Sequence, residues 1–373
     1  MRFVSDAAAA LPFLAVAFAA AAVLAFVLTP IVRRRAIRYG VVDRPNHRRV
    51  NTRPVPRSGG LAIAAAFLTV AVVLVLLNLQ FRFIRLPLLL ERGEVVALLA
   101  GAAAAAAIGA LDDFLDLRAR WQLLGQLGLA IGAVALGIGI TSVNNPFGPG
   151  LLQFDGLLAV AITVLWIVGM INSVNFIDGL DGLSSGIGLI AALTLGVISL
   201  TTTVGQPFVA LLCFALAGSL LGFLRWNFHP ASIFPGTSGT MFIGYTLAVL
   251  SILGSAKVAV ALLVLGVPII DAFWIIVRRL SARRSPFTPD RGHIHHRLLD
   301  LGLSHRRTVM LIYAICGALG VLSLVLTGAQ PVYAFLGVFV GTGLLLLLLA
   351  WGGGDGALDA EAYEREPRGD ASG

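Results

Sequence analysis

Apolar residues run in long blocks along this chain, and polar residues are confined to short breaks between them. Windows with almost no charge lie at 8–32, 59–80, 94–111, 122–141, 156–172, 183–203, 206–225, 239–255, 257–278, 308–327 and 330–351. A hydrocarbon core of roughly 30 Å takes about 20 apolar residues per helical crossing, so the pattern predicts about 11 transmembrane helices. Backbone polar groups in lipid must be satisfied within their own segment, and nothing alternates at ten-residue spacing like a barrel strand. The expected fold is an all-α integral membrane protein, one polytopic bundle over 1–351, followed by a polar tail at 352–373 that reads as disordered. The run from Ala7 to Val32 ends in Arg33-Arg34-Arg35 and is too long for the apolar region of a secretory signal, so it reads as a retained first helix. The small residues Ala102 to Ala107 predict close helix packing.

Composition excludes a soluble globular protein. Of 373 residues, 58% are hydrophobic and 12% charged, where a soluble domain carries about 25% charged residues; the mean hydropathy is +0.92. The formal net charge of +8 is almost entirely arginine, Lys257 being the only lysine. In a membrane protein such an excess sets orientation and favours anionic partners before it suggests nucleic acid. One break holds Arg33, Arg34, Arg35, Arg38, Arg44, Arg48, Arg49, Arg53 and Arg57; another holds Arg279, Arg283, Arg284, Arg291, Arg297, Arg306 and Arg307. Both are predicted to be cytoplasmic. That puts the N-terminus outside, the C-terminus in the cytoplasm, and the loops 33–58, 112–121, 172–183, 226–238 and 279–307 on the cytoplasmic face. Cys213 and Cys316 lie in apolar stretches and read as buried thiols, with no disulfide framework.

Every dense polar cluster falls on that predicted face. Asp112-Asp113-Phe114-Leu115-Asp116 offers carboxylates that bind a divalent cation or take a proton from a phosphate; an acidic turn balanced by Arg118 and Arg120 is the alternative. Asn172, Asn175 and Asp178 are three apart and share a helix face, and Gly179 and Gly182 then let the chain turn and keep Asp181 near. This compact oxygen set suits a small hard ion such as Mg²⁺ with a phosphate, although capping of a helix end accounts for part of it. His293, His295 and His296 with Arg291 and Arg297 supply donors for phosphate or sugar hydroxyls; the spacing is wrong for zinc, and a solvated basic loop is the plain alternative. Asp271 lies about two turns inside an apolar span, roughly 10 Å deep at 1.5 Å per residue, and is expected to pair with an arginine at the cytoplasmic face.

Together these loops resemble the polyprenyl-phosphate N-acetylhexosamine-1-phosphate transferases, integral membrane enzymes that start bacterial envelope glycans. The stretch from Asn172 to Gly182, Asn-x-x-Asn-x-x-Asp-Gly-Leu-Asp-Gly, is the most specific part. Supporting it are Asp43 with Pro45, Arg48-Arg49, Pro56-Arg57-x-Gly59-Gly60, Asp112-Asp113, Pro268 with Asp271, and Asp290-Arg291-x-His293-x-His295-His296. The histidine pattern looks like the branch using UDP-N-acetylglucosamine or a close relative, and less like the muramyl-pentapeptide branch. The resemblance implies attack by an undecaprenyl-phosphate oxygen on the β-phosphorus of a UDP-N-acetylhexosamine, releasing UMP at the inner membrane. It implies Asp112 or Asp113 for the lipid phosphate proton, and Asn175 and Asp178, with Thr237 in doubt, for Mg²⁺ or Mn²⁺, Asp178 counting also as catalytic. Asn172, Asp181, Arg48, Arg57, His293, His295, His296 and Arg297 are implied as substrate contacts. The implied partners are the lipid acceptor, the nucleotide sugar and the bilayer, with no nucleic acid and a homodimer left open.

The chain departs from the family pattern at three positions. Thr237 stands where the family has a magnesium-binding aspartate, Gln122 where it has a lysine ten residues after the first acid of the pair, and Asn51 where it has a histidine. The charges lost at Thr237 and Gln122 are opposite, so the two are expected to have changed together, with Asp178 or Asp181 taking the metal. A silent relative that only binds polyprenyl phosphate or nucleotide sugar is the competing reading. A transporter is disfavoured, because the polar residues sit at one boundary and no inverted repeat is visible.

Overall fold

The computed structural model describes residues 7–43, 54–81, 92–201, 204–253, 257–281 and 293–352. Within these residues the fold is helical, with two short hairpins. The helices are α1 (Ala7–Arg38), α2 (Gly60–Phe81), α3 (Arg92–Leu115), α4 (Ala119–Ala135), α5 (Gly156–Ile177), α6 (Leu183–Ser199), α7 (Pro207–Asn227), α8 (Gly236–Ile252), α9 (Lys257–Val264), α10 (Gly266–Ser281), α11 (Ile294–Asp300), α12 (His305–Val325) and α13 (Gln330–Gly352). Strands β1 (Val42–Asp43) and β2 (Val55–Pro56) pair antiparallel, as do β3 (Ser142–Asn144) and β4 (Leu151–Gln153).

Each predicted apolar window meets a helix, but fewer helices reach the length of a crossing than there are windows. Among the described residues six helices are long and apolar enough to cross a membrane: α1, α2, α3, α5, α7 and α12. A seventh is counted if α9 and α10, bent by 76° at their junction, make one span. The window at 183–203 shrinks to the 17 residues of α6, and that at 239–255 shifts to the 17 residues of α8. Two predicted loops also prove partly helical. Asp112 and Asp113 lie in the last turn of α3, and Asn172 and Asn175 in the last two turns of α5. Arg48, Asn51, Asp290, Arg291 and the tail at 353–373 fall outside the described residues.

A helix apolar on all sides has to be buried, and α8 is: every residue from Ser238 to Ile252 is shielded from solvent. Around it stand α2, α3, α5, α6 and α9, while α1, α2 and α4 turn apolar side chains such as Val16, Leu76 and Leu124 outward, as a lipid-facing surface requires. Small residues set the spacing. The buried Ala102, Ala105 and Ala106 lie on α3, which faces α8, and the Tyr245 hydroxyl of α8 donates to the Ala97 carbonyl of α3 at 2.7 Å. Cys213 and Cys316 are buried free thiols, as predicted.

The backbones of α1 and α7 also approach closely. A Cβ placed on Gly222 would lie 2.1 Å from the Ala22 carbonyl oxygen, so the two backbones touch only because glycine stands there. Gly222→Ala is therefore expected to push α1 off α7 and cost about 1–3 kcal/mol, read as a lowered unfolding midpoint in detergent. Gly128→Ala, which meets no atom within 4 Å, is the control expected to leave the midpoint in place.

Candidate active site

The first N–H groups of a helix have no partner inside it, and at α8 they are met by an acid from α3. Asp113 Oδ1 accepts from the Thr237 N–H at 2.8 Å and Oδ2 from the Ser238 N–H at 3.2 Å. The positive end of the α8 dipole favours the same carboxylate. Gly236, just before, has φ +68°, and a Cβ there would lie 2.6 Å from Asp113 Oδ1. Only glycine satisfies both demands. Asp112 faces other donors. Its Oδ2 accepts from the Thr237 hydroxyl at 2.6 Å, and its Oδ1 from Gln122 Nε2 at 2.8 Å and the Leu117 N–H at 3.0 Å. Gln122 and Thr237, two of the three departures from the family pattern, thus grip the same carboxylate.

The shared face of Asn172, Asn175 and Asp178 is satisfied by three neighbours. Asn172 Nδ2 donates to Gln126 Oε1 of α4 at 2.6 Å, Asn175 Oδ1 accepts from the Thr240 hydroxyl of α8 at 2.9 Å, and Asp178 Oδ1 accepts from the Ser184 hydroxyl of α6 at 2.5 Å. Asp178 caps the end of α5 with its carboxyl group pushed up to about 8. Desolvation is the main cause, the nearby charges of Asp113 and Asp181 add to it, and the Ser184 hydrogen bond opposes it.

Asp271 anchors the histidines. Its Oδ2 bonds His293 Nδ1 at 2.8 Å, and its Oδ1 accepts the Ile294 N–H at 2.8 Å at the start of α11. Its described partners are therefore a histidine and a backbone amide, where the sequence led us to expect an arginine. His293 stacks on His295 with ring centroids 5.4 Å apart. His295 is 1% exposed, and neither of its ring nitrogens has a hydrogen-bond partner. Burial first, then the charges of His296, His293 and His305, hold its pKa well below the usual histidine value, so the imidazole is neutral at pH 7. A Cβ on Gly179 would lie 2.1 Å from His295 Nε2, so this glycine is what admits the ring.

Part of this set meets in one cavity of about 1320 Å³, whose lining does not include Asp112, Asp113 or Asp271. Its polar end is lined by Gln122, Gln126, Asn172, Asn175, Asp178, Arg279, His293, His295 and His296; its other walls are apolar side chains of α4, α5, α9 and α10, among them Leu165, Trp166, Leu262 and Phe273. Several predicted residues stand elsewhere. Asp181 Oδ2 bonds His229 Nδ1 at 2.7 Å and accepts the Ala231 N–H at 3.0 Å, and its own N–H donates to His305 Nε2 at 2.9 Å, all outside the cavity lining. Arg57 pairs with Asp116 at 2.5 Å. Arg297, on α11, and Thr237 are not among the lining residues.

Mg²⁺ usually keeps several waters and takes one or two carboxylates besides phosphate oxygens. Asp178 fits, being a desolvated acid beside two others, and Asn175 offers an amide oxygen next to it. The Thr237 hydroxyl fits less well, being a neutral ligand that is not among the lining residues of the cavity. The sequence reading passed over Ser184, Thr240, Gln126, His229 and His305. For the two histidines a signal is available: of six in the chain, five are grouped at this end of the bundle, the sixth, His47, lying outside the described residues; the hydroxyls and the amide have none.

A family model described as glycosyl transferase family 4 matches residues 95–255, which contain α3 to α8. A probable undecaprenyl-phosphate N-acetylglucosaminyl 1-phosphate transferase of Bacillus subtilis (strain 168) is 38% identical over 320 residues, covering 84% of this chain and 85% of that protein. A decaprenyl-phosphate N-acetylglucosaminephosphotransferase of Mycolicibacterium smegmatis is 35% identical, covering 92% and 91%. An undecaprenyl-phosphate alpha-N-acetylglucosaminyl 1-phosphate transferase of Yersinia pestis is 30% identical, covering 79% of each. With this likeness along most of its length, and with the polar loops gathered at one cavity, the chain belongs to the polyprenyl-phosphate N-acetylglucosamine-1-phosphate transferase family.

Proposed function

We propose that the protein transfers N-acetylglucosamine-1-phosphate from its UDP-sugar to undecaprenyl phosphate, with release of UMP. The observation that carries this is the two-sided cavity: hydrogen-bonding groups and an arginine at one end, apolar side chains over the remaining walls. Such a site suits a lipid whose head is a phosphate. An oxygen of the lipid phosphate attacks the β-phosphorus, a P–O bond forms there, and the bond to the α-phosphate oxygen breaks, the electron pair leaving with UMP. Of the two adjacent acids, Asp113 is spent on capping α8, so Asp112 takes the proton that the lipid phosphate sheds. It lies one hydrogen bond behind the cavity-lining Gln122.

The neutral His295, with no protein partner, presents one N–H donor and one acceptor to a phosphate oxygen or sugar hydroxyl. Arg279 adds positive charge to the same end. Asp178 and Asn175 are the residues that would hold Mg²⁺, and the ion, when bound, offsets charge on the diphosphate oxygens.

The orientation follows from the arginines: the active-site end faces the cytoplasm at the inner membrane. The chain reverses at that end between α1 and α2, α3 and α4, α5 and α6, α7 and α8, and α10 and α12. If the shorter α4, α6, α8 and α13 also traverse the bilayer, the crossings number eleven, with the N-terminus outside.

Purified protein given undecaprenyl phosphate, UDP-N-acetylglucosamine and Mg²⁺ is expected to release UMP, to stop with EDTA, and to lose about 10²–10⁴-fold in rate on Asp112→Asn. Binding of UDP-sugar without UMP release would instead support the silent relative. A second test uses pH. Asp178 keeps its proton to about pH 8 when folded but only to about 3.8 when unfolded, so it contributes stability fully present below the lower value and lost as pH rises through the upper one. The unfolding midpoint in EDTA is therefore expected to fall between pH 6 and about 9, and Asp178→Asn to flatten that fall. A cation needs the ionised carboxylate, so its affinity should rise over the same interval.

A further inference from the structure

Asp112 is 6% exposed and accepts three hydrogen bonds, from the Leu117 N–H, the Gln122 amide and the Thr237 hydroxyl, all of them neutral donors. We propose that Gln122 and Thr237 are a coupled pair of positioning residues that aim the Asp112 carboxylate and act on the reaction only through it. The role in the reaction rests on the reading of Asp112 as the proton acceptor.

Three observations carry the pairing. Thr237 already caps its neighbour through its backbone N–H, which goes to Asp113, so α8 is satisfied without the hydroxyl. That hydroxyl is left with one task, fixing Asp112 Oδ2. Gln122 fixes the other oxygen, and its Nε2 also reaches the Leu117 carbonyl at 3.3 Å, so the amide can present its N–H groups only toward Asp112 and that carbonyl. Gln122 lines the cavity and Asp112 does not. A carboxylate held at both oxygens has one orientation; loss of the Thr237 hydroxyl releases Oδ2, and loss of the Gln122 amide leaves Oδ1 with the Leu117 N–H alone.

The charge of the group also constrains the pair. Asp113 adjoins Asp112 in the chain and lies near enough to Asp178 to raise it. A negative side chain at 237 would stand against Asp112, and a positive one at 122 would offset it. The identity of one residue thus limits what the other can be.

The test is a mutant cycle on the full chain in lipid nanodiscs, with kcat and KM from UMP release and, in parallel, unfolding midpoints. Thr237→Val and Gln122→Met remove the donors at nearly constant volume. Each is expected to lower kcat about tenfold, the scale of a hydrogen bond to a charged group, with KM for the UDP-sugar unchanged. The double variant should be little slower than the poorer single one, and neither change should matter on an Asp112→Asn background. Thr237→Ser should recover most of the rate. Thr237→Asp alone should lose more than tenfold, and adding Gln122→Lys should restore much of it. Losses that multiply, that persist with Asp112→Asn, or that fall on KM alone overturn the proposal, as does a Thr237→Asp variant of wild-type rate. Wild-type protein that releases no UMP counts against the transferase reading and against any role for the pair in catalysis. The physical coupling is then decided by the midpoints: a Thr237→Val shift that vanishes with Asp112→Asn supports it, and one that survives overturns it.

Discussion

Buried carboxylates need partners, and two adjacent ones at the end of α3 impose a strict demand. The start of α8 meets it. Asp113 takes the unpaired N–H groups of that helix, and Asp112 takes the hydroxyl of its first threonine. Much else follows from this junction. It fixes α3 against α8, and α8, buried for its whole length, reaches α5 through the Thr240 to Asn175 hydrogen bond. The face carrying Asn172, Asn175 and Asp178 is set by contact with a helix whose own position is set by the two acids.

The remaining ties join loops. Asp181, with His229, His305 and the Ala231 N–H, pins the turn after α5 to the ends of α7 and α12. Gly179 receives the ring of His295, and Asp271 holds His293 beside it. The acids of one stretch thus divide their labour: Asp178 borders the cavity, while Asp181 fastens the scaffold that holds it there.

Helices were legible in the sequence because apolar runs of membrane length leave few other structures. Their limits were not. The window that became α8 began at 239 in the sequence reading, since Gly236-Thr237-Ser238 looks like a polar turn; those residues are the first turn of the helix, held by a partner on α3 that no local rule could supply. The 257–278 window gave one span, whereas the chain bends between α9 and α10, with Gly266 and Pro268 at the start of the second piece. For the site, helical period placed Asn172, Asn175 and Asp178 on one face, and that much was local. The hydroxyls and amides that complete them come from α4, α6 and α8 and are fixed only by folding. The opposite charges missing at Gln122 and Thr237 hinted at a link between those positions; the shared hydrogen-bond acceptor is what gives it a physical basis.

The apolar walls that α4, α5, α9 and α10 give the cavity have a consequence for how saturation should be counted. An acceptor that reaches its site by sideways diffusion through a leaflet is never diluted into the surrounding water. What the protein samples is the number of acceptor molecules per unit of bilayer area, so adding more vesicles of the same composition leaves occupancy unaltered, whereas enriching each vesicle raises it.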